Sequence, residues 1–317
     1  MTSPTIAQTI TNSRDVLIPN LGWQTAVTII YPDDFDEKRK YPAVLGAHPI
    51  GSCKKQTAGN VYGVALAQAG FVVVTFDASF QGSSGGHPRN IEDPGLRVSD
   101  FRFVLDYMVT LPYIDSEKIG AYGICGGGGY VVAATMTDFR IKACVSITGV
   151  NFGRLMREGF SQYNPVEALK GIAAQRTAEA RGAERKQVQY LFPRVEDAKK
   201  TTTDVDLVEA TDYYRNRSPH RCALTSGLLS FNAAATMWDD YAHAEVLLTQ
   251  PFMAVVGDIP GGFGAYRDGN EIYARAASAE KELVVLAGIT HYELYDHPKA
   301  AGKALESITP FFKKHLV

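Results

Sequence analysis

KIGAYGICGGGGY, residues 118–130, predicts a short buried strand, a very sharp turn and the start of a helix. The apolar residues before the turn are typical of a strand that is covered on both faces. The segment Gly123-x-Cys125-x-Gly127 matches the Gly-x-Ser-x-Gly nucleophile elbow, with cysteine in place of serine. Glycine is needed on either side because the nucleophile occupies a strained conformation and larger side chains would collide with the turn. The turn would place the sulfur at a helix N-terminus, where the thiolate is favoured.

Two other interpretations of this stretch compete with the elbow. A free cysteine is often a buried residue that only fills space, and a glycine-rich loop between strand and helix can bind phosphate. The dinucleotide fingerprint Gly-x-Gly-x-x-Gly does not fit, because its middle glycine would fall on Cys125. The P-loop does not fit either, because no Gly-Lys-Ser/Thr follows. The rest of the chain therefore has to decide between the elbow and simple packing.

Composition limits the function classes that the chain can serve. The 317 residues are 45% hydrophobic and 21% charged, which is typical of a soluble globular protein with one large domain or two. A net charge of -2 gives no sign of the excess positive charge that is typical of proteins that bind nucleic acid or an anionic membrane. Residues 1–11 lack a signal pattern, and no apolar run approaches transmembrane length. The scattered cysteines disfavour zinc or disulfides and indicate a cytoplasmic protein: Cys53, Cys125, Cys144 and Cys222.

Apolar segments alternate with helical patterns along most of the chain. The predicted strands are residues 16–19, 23–31, 41–48, 71–77, 118–124, 141–148, 251–258 and 282–286. The predicted helices between and after them include residues 62–69, 98–110, 270–280 and 300–314. The first two strands read as an antiparallel pair, and the alternation that follows predicts a parallel sheet wrapped by helices. Sites in such sheets lie beyond the carboxyl ends of the strands, where Cys125 and the loop after His48 would meet.

The alternation stops after residue 149. Residues 150–249 are polar, helical in pattern and without convincing strands, and they predict a helical insertion or lid between core segments 1–149 and 250–317. Several aromatic residues recur there. Those that we predict to line a substrate pocket are Tyr213, Tyr214, Phe231 and Trp238. The alternative is that they form the small core of the insertion, because cores recruit apolar residues first.

A cysteine nucleophile needs a base, and the base needs an orienting group. In nucleophile-elbow enzymes the partners follow in the order nucleophile, acid, histidine. Asp258 ends a late strand and His291 follows the next one, so the chain offers that order. No histidine pair has metal-binding spacing, and we expect no metal or cofactor.

An oxyanion hole needs two backbone N–H groups aimed at one point. One should come from Gly126, directly after the nucleophile, and the other from the loop after the early strand. Pro49 has no N–H, so Ile50 is the predicted second donor, with Gly51 next.

Three segments together resemble the α/β-hydrolase superfamily: the elbow, the loop DASFQGSSGG at residues 77–86, and the ending THYELYD at residues 290–296. The branch that the chain resembles most is the dienelactone hydrolase-like proteins, which use cysteine at the elbow. The resemblance extends over residues 15–149 and 250–315. It implies a mostly parallel eight-stranded sheet, Cys125 as nucleophile, His291 as base, and hydrolysis of an ester, lactone or thioester.

The sequence departs from that family in the acid of the triad. Many members carry it a few residues after the glycine that ends the strand, and this place falls on Pro260. Asp258, directly after Gly257, must serve instead, or the acid is displaced. Asp268 and Asp296 are weaker candidates, because one lies further into a helical region and the other follows His291.

The leading hypothesis is a cysteine-dependent hydrolase that works through an acyl-enzyme intermediate. An acyltransferase would use the same intermediate with another acceptor, and a non-catalytic ligand-binding protein could share the fold. The expected partner is a small-molecule acyl substrate, with no nucleic acid and no membrane, and the expected assembly is a homodimer.

Overall fold

The structure, a computed structural model, describes residues 5–159 and 164–317. Its main sheet contains eight strands: β1 (Ser13–Pro19), β2 (Gln24–Ile30), β3 (Tyr41–Ala47), β4 (Val72–Phe76), β5 (Ile114–Ile124), β6 (Ile141–Ile147), β9 (Phe252–Gly257) and β10 (Lys281–Leu286). Two short strands, β7 (Gln187–Gln189) and β8 (Ser226–Leu228), pair separately. The main sheet has the order β1-β2-β4-β3-β5-β6-β9-β10. Strands β1 and β2 join it antiparallel and the other pairs are parallel, as predicted.

The helices of the core lie on both faces of this sheet, and further helices belong to the segment between β6 and β9. They are α1 (Val64–Gln68), α2 (Pro94–Met108), α3 (Gly126–Thr137), α4 (Phe152–Glu158), α5 (Pro165–Ala180), α6 (Val195–Thr201), α7 (Val205–Asp212), α8 (Ala233–Met237), α9 (Ala244–Leu247), α10 (Ala265–Arg275), α11 (Glu293–Asp296) and α12 (Pro298–Leu316). Short helical turns of other types are Thr57–Gly63, Tyr213–Arg217 and Leu229–Phe231.

Each central strand buries both of its faces, which explains its continuous apolar sequence. Successive side chains point to opposite faces: Leu45 belongs to the core cluster that contains Val104 of α2, whereas Val44 belongs to the cluster that contains Phe312 of α12. The sheet order places β5 between β3 and β6. The carboxyl ends of these three strands therefore meet at the middle of one edge.

Helix boundaries differ from the predicted ones where a cap was not recognised. Helix α2 begins at Pro94, because the Asp93 side chain accepts a hydrogen bond from Leu96 N–H at 3.0 Å and proline suits the first turn. The sequence pattern placed this start four residues later, at Val98. Helix α10 starts at Ala265 and ends at Arg275, each earlier than the corresponding end of the predicted helix 270–280.

The segment between β6 and β9 contributes no strand to the main sheet within its described residues. It contains α4 to α9 and the β7–β8 pair, which the sequence did not predict. Strands of three residues are too short for alternating hydrophobicity to be recognised. Tyr241 and Leu248, near the end of this segment, pack into the main core. No helix in the described ranges is both long and apolar enough to cross a bilayer.

Candidate active site

Cys125 occupies the sharp turn between β5 and α3. Its backbone has φ 56° and ψ -124°, a left-handed conformation that a non-glycine residue rarely adopts. A side chain at Gly123 would collide with the carbonyl of Gly127. A Cβ on Gly127 would lie 2.7 Å from the carbonyl oxygens of Ala47 and His48. Both motif glycines are therefore required by close backbone approach, and the strained elbow conformation is present.

The Cys125 thiol is almost completely buried. Burial raises its pKa to about 11, although hydrogen bonding to the Tyr295 hydroxyl and to Gly126 N–H acts in the opposite direction. Burial thus opposes the preference for the thiolate that the helix N-terminus provides. The thiol needs a base to become a nucleophile.

His291 lies in the loop after β10, fully enclosed by other side chains. Its Nδ1 lies 2.8 Å from the Thr148 hydroxyl and its Nε2 lies 3.4 Å from the Tyr295 hydroxyl. Burial lowers the pKa of His291 to about 3, so the imidazole is neutral near pH 7. If the Nδ1 proton is donated to Thr148, the Nε2 lone pair faces Tyr295 and can accept a proton.

Asp258 does not orient His291 in this structure. Its carboxylate accepts the Gly288 N–H at 2.6 Å, in the turn after β10 where Gly288 has φ 69°. Both ring nitrogens of His291 have hydroxyl partners instead. The two weaker candidates also bond elsewhere, Asp268 to Arg154 and Asp296 to Arg217. The predicted placement of the acid beside the base is corrected accordingly, because a turn amide holds the Asp258 side chain.

Asp206 on α7 is a buried carboxyl group that sequence reasoning did not identify. One oxygen accepts the Phe263 N–H at 2.8 Å, and the other has no hydrogen-bond partner in the described part of the chain. Burial raises the pKa of Asp206 to about 7, and its charge contributes to the raised pKa of Cys125. Phe263 in turn packs edge-on against the His291 ring. Asp206 is therefore linked to the site through the backbone of Phe263 and does not bond His291 directly.

The two predicted oxyanion residues contact each other next to Cys125. A Cβ on Gly126 would lie 2.5 Å from the Ile50 side chain, so a larger residue at position 126 would displace that side chain. The Ile50 carbonyl accepts the Tyr214 hydroxyl at 3.1 Å, and the Gly51 carbonyl accepts the Leu224 N–H at 2.8 Å. The Ile50 N–H itself has no acceptor among the described residues. Tyr214 and Leu224, both in the segment between β6 and β9, thus hold the loop after β3 in place. Neither hydrogen bond uses the Ile50 N–H, which is the predicted oxyanion donor.

A cavity of about 970 Å³ opens at Cys125. Its lining residues include Ile50, Val150, Tyr214, Phe263 and Tyr292, and many of the others come from α4, α5 and the loop after β7. The cavity is apolar over most of its surface. Among the described residues that line it, Lys186 is the one with a charged side chain. Such a chamber suits a hydrocarbon-rich ligand whose reacting group sits at the sulfur.

Residues 22–256 of the chain match the family described as X-Pro dipeptidyl-peptidase (S15 family), which is well over half of its length. The chain belongs to this family. It is 37% identical over 295 residues to the uncharacterized protein YcjY of Escherichia coli (strain K12), covering 92% of this chain and 94% of that protein. The S15-family assignment supports a hydrolase.

Solved structures agree on the fold of this S15-family protein. The hypothetical protein PA2218 from Pseudomonas aeruginosa superposes with a TM-score of 0.86 at 27% identity, covering 98% of this chain and 95% of that chain. The α/β hydrolase GrgF from Penicillium sp. sh18 superposes with a TM-score of 0.77 at 17% identity, covering 96% and 99% of the two chains. The α/β-hydrolase fold is confirmed. The dienelactone hydrolase-like branch and the role of Cys125 stay predictions.

Of the four aromatic residues predicted to bind substrate, Tyr214 lines the cavity and the others do not. Tyr213 packs behind it against Tyr295, with ring centroids 4.9 Å apart. Phe231 packs on a small cluster with Phe80, and the Trp238 indole N–H donates to Asp240 at 2.8 Å. These three aromatics serve packing, which was the alternative interpretation of the pattern.

Sequence reasoning missed two hydroxyl groups that contact His291, those of Thr148 and Tyr295. Thr148 directly follows β6, at the same sheet edge as Cys125, and its position alone could have marked it. Tyr295 follows His291 by four residues, a spacing that places both side chains on one face of a helical turn. Neither residue type is usual in a triad, which is why the pattern search passed over them.

Proposed function

We propose that this protein is a cysteine-dependent hydrolase of an ester, lactone or thioester that works through an acyl-enzyme intermediate. The single observation that carries the proposal is the position of Cys125. It sits on a strained elbow and lines a large apolar cavity, and His291, a neutral buried histidine, lies in the loop after β10 at the same edge of the sheet. Strain at such a turn is expected where a nucleophile must be presented to substrate.

The proposed reaction has two halves. The Cys125 sulfur attacks the substrate carbonyl while its proton passes to His291, and the leaving group departs with a proton, which leaves a thioester on Cys125. Water activated by His291 then releases the acid and regenerates the thiol. The Gly126 and Ile50 N–H groups would hold the oxyanion in both halves, and one such donor contributes about 3 kcal/mol to transition-state stabilisation.

The walls of the cavity favour an acyl substrate over a dipeptide. Removal of an X-Pro dipeptide requires recognition of a free N-terminal ammonium, for which a carboxylate is the natural partner. No described residue that lines the cavity is an aspartate or glutamate. Burial of hydrocarbon, in contrast, contributes about 0.8 kcal/mol for each methylene. We therefore expect esters and thioesters of apolar acids to outperform X-Pro peptides.

The test is a substrate panel of esters, lactones, acyl thioesters and X-Pro peptides, assayed with the native protein, Cys125→Ala and Cys144→Ala. Cys144 is a matched control because its thiol is also buried but lies in β6, away from the cavity. Hydrolysis that survives in Cys144→Ala and is lost in Cys125→Ala would support the proposal. Equal activity of Cys125→Ala and the native protein would refute it, and turnover only with an added alcohol or thiol acceptor would indicate an acyltransferase.

A further inference from the structure

Arg97 of α2 is a buried arginine that holds the loop after β3. Its Nη2 donates to the His48 carbonyl at 2.6 Å, and its Nη1 lies 3.0 Å from His48 Nε2. The Nε side of the guanidinium faces the Glu92 carboxylate at 3.2 Å, and both members of this ion pair are almost completely buried. Because desolvation of two charges offsets much of their attraction, the pair is better explained by the geometry that it imposes than by the stability that it adds.

The His48 ring connects Arg97 to the next peptide group of the loop. Ala78 N–H donates to His48 Nε2 at 3.1 Å, so the ring proton is on Nδ1, which donates to the Pro49 carbonyl at 2.7 Å. Burial and the charge of Arg97 lower the pKa of His48 to about 3, so the ring is neutral near pH 7 and carries this single proton. The direction of the Pro49 carbonyl is therefore fixed by a side chain that Arg97 itself holds.

The Pro49 carbonyl belongs to the same peptide group as the Ile50 N–H, the predicted oxyanion donor. A trans peptide group is planar, with its C=O and N–H bonds pointing in opposite directions, and the Pro49–Ile50 bond is trans. A hydrogen bond that fixes the Pro49 carbonyl therefore also fixes the direction of the Ile50 N–H. The Ile50 side chain lies against Gly126, whose N–H is the other predicted donor.

The same buried cluster reaches α3, the helix that begins at Gly126. Tyr130 of α3 donates its hydroxyl to Glu92 Oε1 at 2.9 Å, and its ring centroid lies 4.9 Å from Arg97 Cζ. The face of an aromatic ring attracts a cation, so the guanidinium is held from this side as well. One cluster thus contacts both segments that supply the predicted oxyanion donors.

We propose that Arg97 and His48 are positioning residues that aim the Ile50 N–H at the oxyanion, an inference that rests on the proposed cysteine hydrolase. Neither residue is among the described ones that line the cavity, so both act through the loop and not by touching the acyl group. Their effect falls on the step in which negative charge develops on the substrate carbonyl oxygen, because a donor stabilises that charge only when it already points at the oxygen.

Two reactions of Cys125 separate this role from a merely structural one. Acylation by a p-nitrophenyl ester passes through a tetrahedral oxyanion, whereas alkylation by iodoacetamide displaces iodide at a saturated carbon and forms none. Both rates are measured at neutral pH, with peptide mapping of the product, for the native protein, Arg97→Lys and His48→Phe. Arg140→Lys is the control, because Arg140 also bonds carboxylates through its guanidinium but precedes β6, at the opposite edge of the sheet. Melting temperatures of all four proteins check the fold.

Loss of one oxyanion donor costs about 100-fold or more in rate, so we expect acylation to fall about 100-fold in His48→Phe and about tenfold in Arg97→Lys, with alkylation in both variants within about threefold of native. Arg140→Lys should keep both native rates. If His48→Phe does not fold, Arg97→Lys decides alone. Native acylation in Arg97→Lys, or equal losses of acylation and alkylation, would overturn the positioning role while leaving the hydrolase intact. A native protein that is alkylated at Cys125 but never acylated there would overturn the proposed function, and this inference with it.

Discussion

The hydroxyl oxygen of Thr148 lies 2.8 Å from Nδ1 of His291. A triad carboxylate normally bonds this ring nitrogen, where it fixes the tautomer and stabilises the imidazolium. A neutral hydroxyl can fix the tautomer but supplies no charge. The proposed base, His291, is therefore oriented by a neutral partner, in a pocket where burial keeps the imidazole uncharged near pH 7.

Thr148→Val should lower kcat while Thr148→Ser retains most of it. Valine has the branched shape of threonine without the hydroxyl, so the strain at φ 41° is matched. Loss of the partner of a buried N–H costs about 1–3 kcal/mol, which corresponds to roughly 5- to 150-fold in rate. The measurement is kcat of both variants on the best substrate of the panel. A valine variant with the native kcat would show that His291 needs no partner at Nδ1.

Asp258→Asn should change kcat by less than about tenfold, because the Asp258 carboxylate serves the turn at Gly288. An acid that orients the base would instead cost about 10⁴-fold. Urea unfolding should show a stability loss of about 1 kcal/mol for the weakened turn hydrogen bond. Asp206→Asn is the companion variant. A thousandfold loss in either one would place the acid on that residue and contradict the role of Thr148.

The wall of the cavity at α5 should set the preferred acyl length. Ile172 is buried and lines the cavity, so Ile172→Phe should shorten the chain that is accepted. Each methylene that no longer fits should lose about 0.8 kcal/mol, or roughly fourfold in kcat/KM. Phe231→Leu is the control, because Phe231 packs outside the cavity. A length profile that moves in the control and stays fixed in Ile172→Phe would contradict this assignment.

Acidification should remove the stability that His291 contributes in its neutral form. Its pKa in the folded protein is about 3, below the ordinary 6.5. Between these two pH values the residue binds a proton in the unfolded chain but not in the folded one. The contribution is complete above pH 6.5 and is lost as pH falls toward 3. Carboxyl groups with pKa values raised to about 7 by burial, such as Asp206 and Asp240, act in the opposite direction.

The pH effect of His291 is therefore read as a difference between the native protein and His291→Gln. Between pH 6 and pH 4, the native free energy of unfolding should fall relative to the variant by about 1.4 kcal/mol per pH unit. Denaturant titrations at several pH values measure it. A difference that is constant with pH would mean that His291 titrates normally in the folded protein.

Much of the candidate site could be predicted because the residues that it requires lie at fixed, short spacings in the sequence or at a fixed place in the topology. The strained turn at Cys125 needs small neighbours at fixed spacing, and Gly123 and Gly127 meet that need visibly. His291 follows from chain order, because the last loop at the carboxyl edge has a fixed place in the topology.

The partner of His291 could not be predicted in the same way. The topology brings both Asp258 and Thr148 to the sheet edge, and the choice between them depends on side-chain direction. The Gly288 N–H captures Asp258, and no pattern in the sequence announces that hydrogen bond. The cavity walls could not be predicted either, because Ile172 and Phe231 are both apolar residues of one segment and only packing shows which of them lines the cavity.

The central claim, an acyl group carried on Cys125, is tested most directly by rapid-quench mass spectrometry of the intact protein during turnover of a slow ester. The account predicts a mass increase equal to one acyl group, mapped to the peptide with Cys125, present in Cys144→Ala and absent in Cys125→Ala. Turnover at the native rate with no adduct, or with an adduct on another residue, would contradict it.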